Sequence, residues 1–490
     1  MRKIVALLLV IAAANQSIFA QTNKDPNSWD LRRCIEYAMA NNISVRQADV
    51  QARISAIILK QSKLQQIPSL NYAFQHGVNF GRSLDRTTNT YNDLSGTFQT
   101  MNLQSQATIF NWNSQKNTIK SNDYTNQADK AAVDKARNDI GLNVARQYLL
   151  VLLDIEQVQV NDITLKTSQY QLENTRKQVN AGSLPELNAA ELEAQVARDS
   201  ATYVASQTSV ELDKLALKGL LNLPADQPFN LETPPVESIP VDNILEERPE
   251  QVYALAIKTQ PQIRVNSLRL MASQKTYEAN KGRLYPTISA FGQLNTQFQV
   301  GFKGNTFGLG PFAPTQSYAQ DPNNALNKFP VYVQSPIITQ YSNNFGALWN
   351  GYWKTLSDNF GQSLGIGINV PIFNGWQARS VVERSKLDIE NKQLTVEQDT
   401  LRLKQDVYSA YSQASGAFQT FEARKKSLAT AERSFDLATR RYNIGVMQTI
   451  EWLNNQNNLY TARINVLIAQ FDYVFKMKVL EYYKGQGLRL

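Results

Sequence analysis

The sequence predicts a mainly α protein with a membrane β-barrel portion, built as two internal structural repeats. Three observations predict it. Two long runs carry apolar residues at three- and four-residue steps, and each turns back at one glycine, Gly182 or Gly445, 263 residues apart. Two shorter stretches, opened by Pro68 and Pro286, switch to a two-residue alternation. Segments of the first half then return in the second half in the same order.

Composition sets the outer bounds. The 490 residues carry a formal charge of +8, with 42% hydrophobic and 19% charged residues. That is a moderately polar globular composition, not one of a polytopic helical membrane protein. The basic excess is interleaved with acids along the helical runs, which argues against nucleic acid as a partner. Residues 1–20 read as a signal peptide: Arg2-Lys3, an apolar run, then Ala20 before Gln21. Cys34 is the only cysteine, so no internal disulfide forms, and it reads as a small residue on a helix face. His76 is the only histidine and falls in a predicted strand. One cysteine and one histidine do not make the usual zinc, iron or copper sites, so no metal or other cofactor is expected. No catalytic set is visible, and the chain does not read as an enzyme.

Taken in order, a helix runs from Trp29 to about Gln66, with a weak joint at Asn41-Asn42. Pro68 ends it, because proline drives the preceding residue out of helical space. Leu70, Tyr72, Phe74, Val78 and Phe80 then alternate with Asn71, Ala73, Gln75, Gly77 and Asn79, enough to cross a membrane as a tilted strand. A polar loop over 82–93 leads to a return strand near 98–110. The helix predicted over 114–181 is roughly 100 Å long at 1.5 Å per residue. Its longest apolar run, 148–153, is too short to span a bilayer, so it must bury a narrow stripe against other helices in water. A return helix follows over 185–221, then a proline-rich linker over 223–245.

The second half repeats this plan. Asn42-Ile43-Ser44-Val45-Arg46 returns as Gln260-Pro261-Gln262-Ile263-Arg264, and Ile67-Pro68 as Tyr285-Pro286, at a shift of 218. Beyond the strands the shift is 263: Ile109-Phe110-Asn111 returns as Ile372-Phe373-Asn374. The difference of 45 residues is an insertion within 301–357, whose Gly, Pro, Asn and aromatic content (Trp349, Tyr352, Trp353) reads as a loop. Its return strand keeps the alternation over 360–370. The plan is thus a signal peptide at 1–20 and a single domain over 21–490, with repeat 1 at about 25–222 and repeat 2 at about 246–485. Four strands alone leave two edges with unpaired amides in lipid, so copies from other chains must close the barrel. Tyr72, Phe74, Phe110, Phe298 and Phe373 fall near strand ends or on the apolar face, where aromatic girdles sit. The alternation by itself also fits a soluble sandwich.

The duplicated plan, the strand-opening Pro68 and Pro286, the paired motifs Ile109-Phe110-Asn111 and Ile372-Phe373-Asn374, and Tyr442-x-x-Gly445 followed by Leu459-Tyr460 are similar to the TolC-type outer membrane efflux proteins. The similarity covers essentially the whole mature chain. It implies a homotrimer with a twelve-stranded barrel in outer membrane lipid of a Gram-negative bacterium, and a periplasmic helical tunnel. It also implies a periplasmic adaptor protein and an inner-membrane pump, of RND or ABC type, as partners. In that family the tunnel closes at its periplasmic tip through acidic rings and through hydrogen bonds from a tyrosine and a basic residue. By position the tyrosine is Tyr442 and the first acidic ring Glu451. The second acidic position falls on Asn454 and the basic one on Met447, two departures. Arg440 and Arg441 are candidates for a latch from the preceding turn, or ordinary surface charges. Glu191 holds the first-repeat position of Asn454. Glu451 is either a lumen ring or a solvated helix residue.

The tips Gly182-Ser183-Leu184 and Gly445-Val446 are candidates for docking an adaptor hairpin, with closing of the turn as the plain alternative for the apolar Leu184 and Val446. The insertion is expected outside the cell, as a pore cap, a polysaccharide contact or a loop without specific function. The expected function is the exit duct of a tripartite exporter of small toxic molecules or drugs. A duct for secreted polypeptides and a non-conducting adhesive trimer are the alternatives.

Overall fold

Four strands make the principal sheet of the computed structural model, which describes residues 28–85, 90–93, 95–235, 239 and 244–486. The expected signal peptide and part of the proline-rich linker lie outside the described residues. In chain order the elements are β1 (Ser28–Trp29), α1 (Leu31–Asn41), α2 (Ile43–Leu64), β2 (Ser69–Asn79), β3 (Arg82–Asp85), β4 (Thr90–Asp93), β5 (Gly96–Phe110), α3 (Ser114–Asn180), α4 (Glu186–Leu221) and β6 (Asn230–Leu231). There follow α5 (Pro249–Thr259), α6 (Pro261–Gly282), β7 (Thr287–Gly301), β8 (Lys303–Asp321), β9 (Asn324–Ser342), α7 (Tyr352–Asp358), β10 (Gly361–Asn369), α8 (Gln377–Asn443) and α9 (Thr449–Lys484), with short 3₁₀ turns at Ile244–Glu246 and Ala347–Trp349. Contacts divide the chain into two units. One comprises the described residues of Met1–Leu59, Lys120–Lys275 and Ser385–Leu490, the other Lys60–Ile119 and Thr276–Arg384.

Paired lengths run through the helices. α1 and α5 have 11 residues each, α2 and α6 have 22, α3 and α8 have 67, and α4 and α9 have 36. Local chemistry sets the ends. Asp30 caps α1 by accepting from the Arg33 amide at 2.7 Å. Asn42 breaks α1 from α2, accepts from the Ser44 amide at 2.9 Å and donates to the Leu220 carbonyl at 2.9 Å. Pro249 and Pro261 open α5 and α6, where a missing N–H costs nothing. Left-handed residues also recur at one offset: Trp112 and Asn113 in the first half, Gly375 and Trp376 in the second. Asn222 ends α4 and Gly485 ends α9 in the same way.

In the helical unit Trp29, Cys34, Tyr148, Leu152, Leu217, Leu221, Phe471 and Val474 form one apolar core. Burial pushes the Cys34 thiol up to about 12, so it behaves as a small apolar side chain. Val252, Val407, Met477 and Leu480 anchor a second core. On α3 a polar series repeats every seven residues: Asp154, Asn161, Ser168 and Thr175 are all buried. Seven residues is two helical turns, so these side chains line one seam of the helix. No described helix is long and apolar enough to cross a membrane.

In the other unit the order β10-β7-β5-β2 is antiparallel throughout. β2 and β7 begin on the residue after Pro68 and Pro286, as the sequence predicts. Two expected loops are instead hairpins. Residues 82–93 contain β3 and β4, and the insertion contains β8 and β9 of 19 residues each. Gly310 and Pro311 sit inside one register break of that ladder, between Leu309 and Phe312, and Pro314 borders the next, before Tyr318.

Candidate functional site

The residues singled out above fall in two places, one in each unit. In the sheet unit, directly opposed residues of antiparallel strands share a face. Register therefore sorts the four strands into two surfaces. Tyr72, Leu103, Leu294 and Gln362 form one row, and Leu70, Ser105, Gly292 and Leu364 the next. This surface continues through Phe74, Met101, Ala290, Ile288, Ile366 and Ile368. It is apolar yet open: Leu70 is 69% and Leu364 89% exposed.

The opposite surface reads Asn71, Gln104, Gln293, Ser363 across one row and Ala73, Asn102, Asn295, Gly361 across the next. Gln75, Thr100 and Gln297 follow. No charged side chain falls on this surface anywhere in the four strands. Its two phenylalanines lie over glycines. A Cβ at Gly365 would stand 2.7 Å from the Phe291 ring and one at Gly77 2.8 Å from the Phe98 ring, so glycine makes the room. Of the aromatics expected as a girdle, Phe298 is different. It lies on the apolar surface but is 1% exposed, covered by Trp349 and Tyr352.

In the helical unit both tips are built alike. Gly182 (φ 76°) donates to the Val179 carbonyl at 2.9 Å, and the next residue, Ser183, to the Gln178 carbonyl at 3.0 Å. Gly445 (φ 74°) donates to Tyr442 at 2.9 Å, and Val446 to Arg441 at 3.0 Å. These paired bonds close the last turn of α3 and α8 and require a left-handed residue at the glycine. Arg176 ties the first hairpin by donating to Glu193 at 3.1 and 2.7 Å.

Behind the second tip, Leu192, Tyr442, Trp452 and Leu453 form a small buried cluster, with Met447 packed against it. Trp452 is 1% exposed and donates from Nε1 to Thr439 Oγ1 at 3.0 Å. Tyr442 stacks beside it at 5.6 Å. The Tyr442 hydroxyl lies 3.3 Å from Thr175 Oγ1 of α3 and 3.2 Å from Thr449 Oγ1 of α9, so it joins both hairpins. A second polar link lies seven residues away on α3 and on α9. Gln456 donates to Ser168 at 2.7 Å, and Ser168 to Asp199 at 2.6 Å.

The tip thus gathers Tyr442 and Met447, and places the other candidates outside the cluster. Glu451 is exposed in the first turn of α9, as is Asn454 one turn on. Glu191 is half-buried. Arg440 pairs with Asp436 of its own helix at 2.9 Å, and Arg441 is exposed. Of the tip residues, Gly182, Ser183, Gly445 and Val446 are exposed and Leu184 is half-buried. Sequence reasoning missed Thr175, Thr449 and Trp452. The signal was the seven-residue spacing of polar residues along α3, which a search for apolar periodicity passes over.

Because nothing lies within 4 Å of a Cβ added at Gly445, its replacement tests backbone conformation alone. Gly445→Val is expected to cost about 1–2 kcal/mol at this left-handed position. Gly445→Asn should be nearly neutral, since asparagine already takes a left-handed helix end in this chain at Asn222. Limited proteolysis of the purified protein, read at the second tip, checks this: valine should speed cleavage and asparagine should not.

The sequence profile of the outer membrane efflux protein family matches residues 34–223 and 344–475. The chain is 25% identical over 119 residues to outer membrane efflux protein BepC of Brucella suis, a stretch covering 24% of this chain and 26% of that relative. The alignment therefore spans about a quarter of the curated relative's length. Among solved structures it is similar to CusC (TM-score 0.72, 16% identity, 96% of this chain and 95% of that one). It is also similar to VceC of Vibrio cholerae (TM-score 0.71, 15% identity, 94% and 97%).

Proposed function

Because the chain belongs to the outer membrane efflux protein family, we propose that it is the outer membrane exit duct of a tripartite exporter, passing small toxic molecules or drugs. The observation behind this is the open wall. β2 and β10 form the two edges of the four-stranded sheet, one surface is apolar and exposed, and the other is polar without charge. Lipid accommodates the first surface and water the second, while the edges demand pairing with further copies. Three copies would make a twelve-stranded barrel whose lumen is lined by carboxamides and hydroxyls. Such a lumen hydrogen-bonds passing solutes without selecting their charge. The paired helix lengths and the recurring left-handed residues support a single domain made of two repeats, about 25–222 and 246–485, joined through 223–245.

In the helical unit, we propose the second tip as a gate and both tips as docking points for a periplasmic adaptor that links to an inner-membrane pump. The exposed Ile444 and Val446 suit an apolar contact with an adaptor helix. Tyr442 holds the hairpins together, and Arg440 and Arg441 stand beside it. Three Glu451 carboxylates around an axis would concentrate negative potential and favour cations. Planar-bilayer conductance of the detergent-purified protein tests this, with wild type beside Glu451→Ala. We expect a small, cation-selective conductance in the wild type that trivalent cations block, and a weaker block in the variant. Equal block in both would remove Glu451 from the lumen, and no conductance in either would overturn the duct.

A further inference from the structure

We propose that residues 345–358 form an interfacial collar that seats in the lipid headgroup layer of the outer leaflet, a role that rests on the membrane wall proposed above. The apolar surface of the sheet is not apolar along its whole height. Toward one end register places His76, Thr97, Gln99 and Thr296 on it. Polar groups facing hydrocarbon without partners cost several kcal/mol each. Thr97 donates to the Gly77 carbonyl of its own sheet at 3.2 Å, and the end of the insertion meets the other three, with His76 still partly open. Gln99 Nε2 donates to the Tyr352 hydroxyl at 2.8 Å, and Thr296 Oγ1 donates to the Leu356 carbonyl at 2.6 Å. Trp349 stacks on His76 at 6.0 Å and on Phe298 at 5.9 Å, nearly parallel to the latter at 8°. Leu348 and Leu356 are buried beneath the segment.

The segment is therefore bound to the lipid-facing surface, on the same side as Leu70, Tyr72 and Phe74. Its remaining side points away from the sheet and carries Phe345 and Trp353, 78% and 80% exposed, with the exposed Lys354 next to Trp353. Two open aromatics and a lysine on a surface continuous with an apolar band match the chemistry of the headgroup layer. An aromatic ring there has an apolar body and a polar environment, and a lysine meets anionic phosphate. The collar thus marks the outer limit of the hydrocarbon band and replaces polar strand residues by an amphipathic cover. The occupant is lipid. A second protein on this surface is the competing outcome.

The test uses the full-length trimer in phosphatidylethanolamine–phosphatidylglycerol vesicles. In a Cys34→Ser background, single nitroxide labels are placed by Trp353→Cys on the collar, Ile366→Cys on the apolar surface and Ser317→Cys on the β8–β9 hairpin. Accessibility to oxygen and to a water-soluble nickel chelate is then compared. The collar label is expected to show a several-fold higher oxygen-to-nickel ratio than the hairpin label, and a lower ratio than the Ile366 site. A collar label that matches the hairpin label, with Ile366 still reading as lipid, overturns the collar and leaves the wall standing. Labels at 353 and 366 that both read as water overturn both. A collar label shielded from both reagents means protein covers it, which also overturns the proposal. Independently, Trp353→Phe should reduce quenching of tryptophan fluorescence by bromine-labelled lipid; unchanged quenching speaks against lipid contact.

Discussion

Trp452→Ala is expected to open the second tip. The indole is 1% exposed, packs between Tyr442 and Phe435, and satisfies its N–H on Thr439. Emptying such a site costs about 3–5 kcal/mol. The clusters around Tyr148 and Val407 share no residue with it, so the loss should fall on the tip and not on the whole helical unit. Amide hydrogen exchange across 435–456 should accelerate by about 100-fold or more, since each 1.4 kcal/mol is a factor of ten. Exchange around Tyr148 should stay as it is. In a planar bilayer the same variant should conduct more than wild type. Tyr442→Phe is the internal control. It keeps the ring and removes only the hydroxyl that reaches Thr175 and Thr449, so about 1 kcal/mol is expected. If Trp452→Ala leaves exchange at the tip unchanged, the cluster does not hold the hairpins together.

A stabilising change is expected at Asp154. Burial, reinforced by a hydrogen bond to Asp213 and by its charge, raises this carboxyl from 3.8 to about 7. Protonated, Asp154 donates to Asp213, which also accepts from Gln147 at 3.1 Å. Ionised, its buried Oδ2 has no donor. A raised acid pKa means that the folded state binds the extra proton between about pH 4 and pH 7. Stability is therefore greatest below pH 4, falls as pH rises through 7, and is flat above. Asp154→Asn keeps the donor and removes the titration. The pKa displacement sets a ceiling of about 4 kcal/mol, at 1.36 kcal/mol per unit. Part of that is lost to burying the amide, leaving an expected gain of about 2 kcal/mol at pH 8. Thermal midpoints in detergent at pH 8, 6 and 4 check it: the variant should lead at pH 8, the lead should shrink by pH 6, and near pH 4 the wild type should lead by about 2 kcal/mol. A lead that is equal at all three pH values would show that the carboxyl does not titrate in this window.

Both effects lie in positions that the sequence displayed without explaining. Asp154, Asn161, Ser168 and Thr175 stand seven apart, and a polar side chain at such a position reads as solvated until a neighbouring helix is known to cover it. Trp452 sits two residues before Asn454 and six after Val446, inside a segment already singled out. Its burial depends on Leu192 from the first hairpin, 260 residues away. The strands were more accessible. Proline at 68 and 286 and the alternation beyond it identify both the starts and the two faces, because a period of two has only one geometric meaning.

What the sequence determined by itself is therefore the local and the periodic. Helix lengths, the glycine tips, the strand starts and the duplicated order each follow from backbone preferences within a few residues. The tertiary structure decided what covers what. It paired β8 with β9 where composition suggested a loop, since cross-strand hydrogen bonds form with residues far along the chain. It brought Trp349 and Tyr352 onto Phe298, and Tyr442 between Thr175 and Thr449. Periodicity tells which side of an element is apolar, but the neighbour that buries it comes from another part of the chain, and only packing selects it.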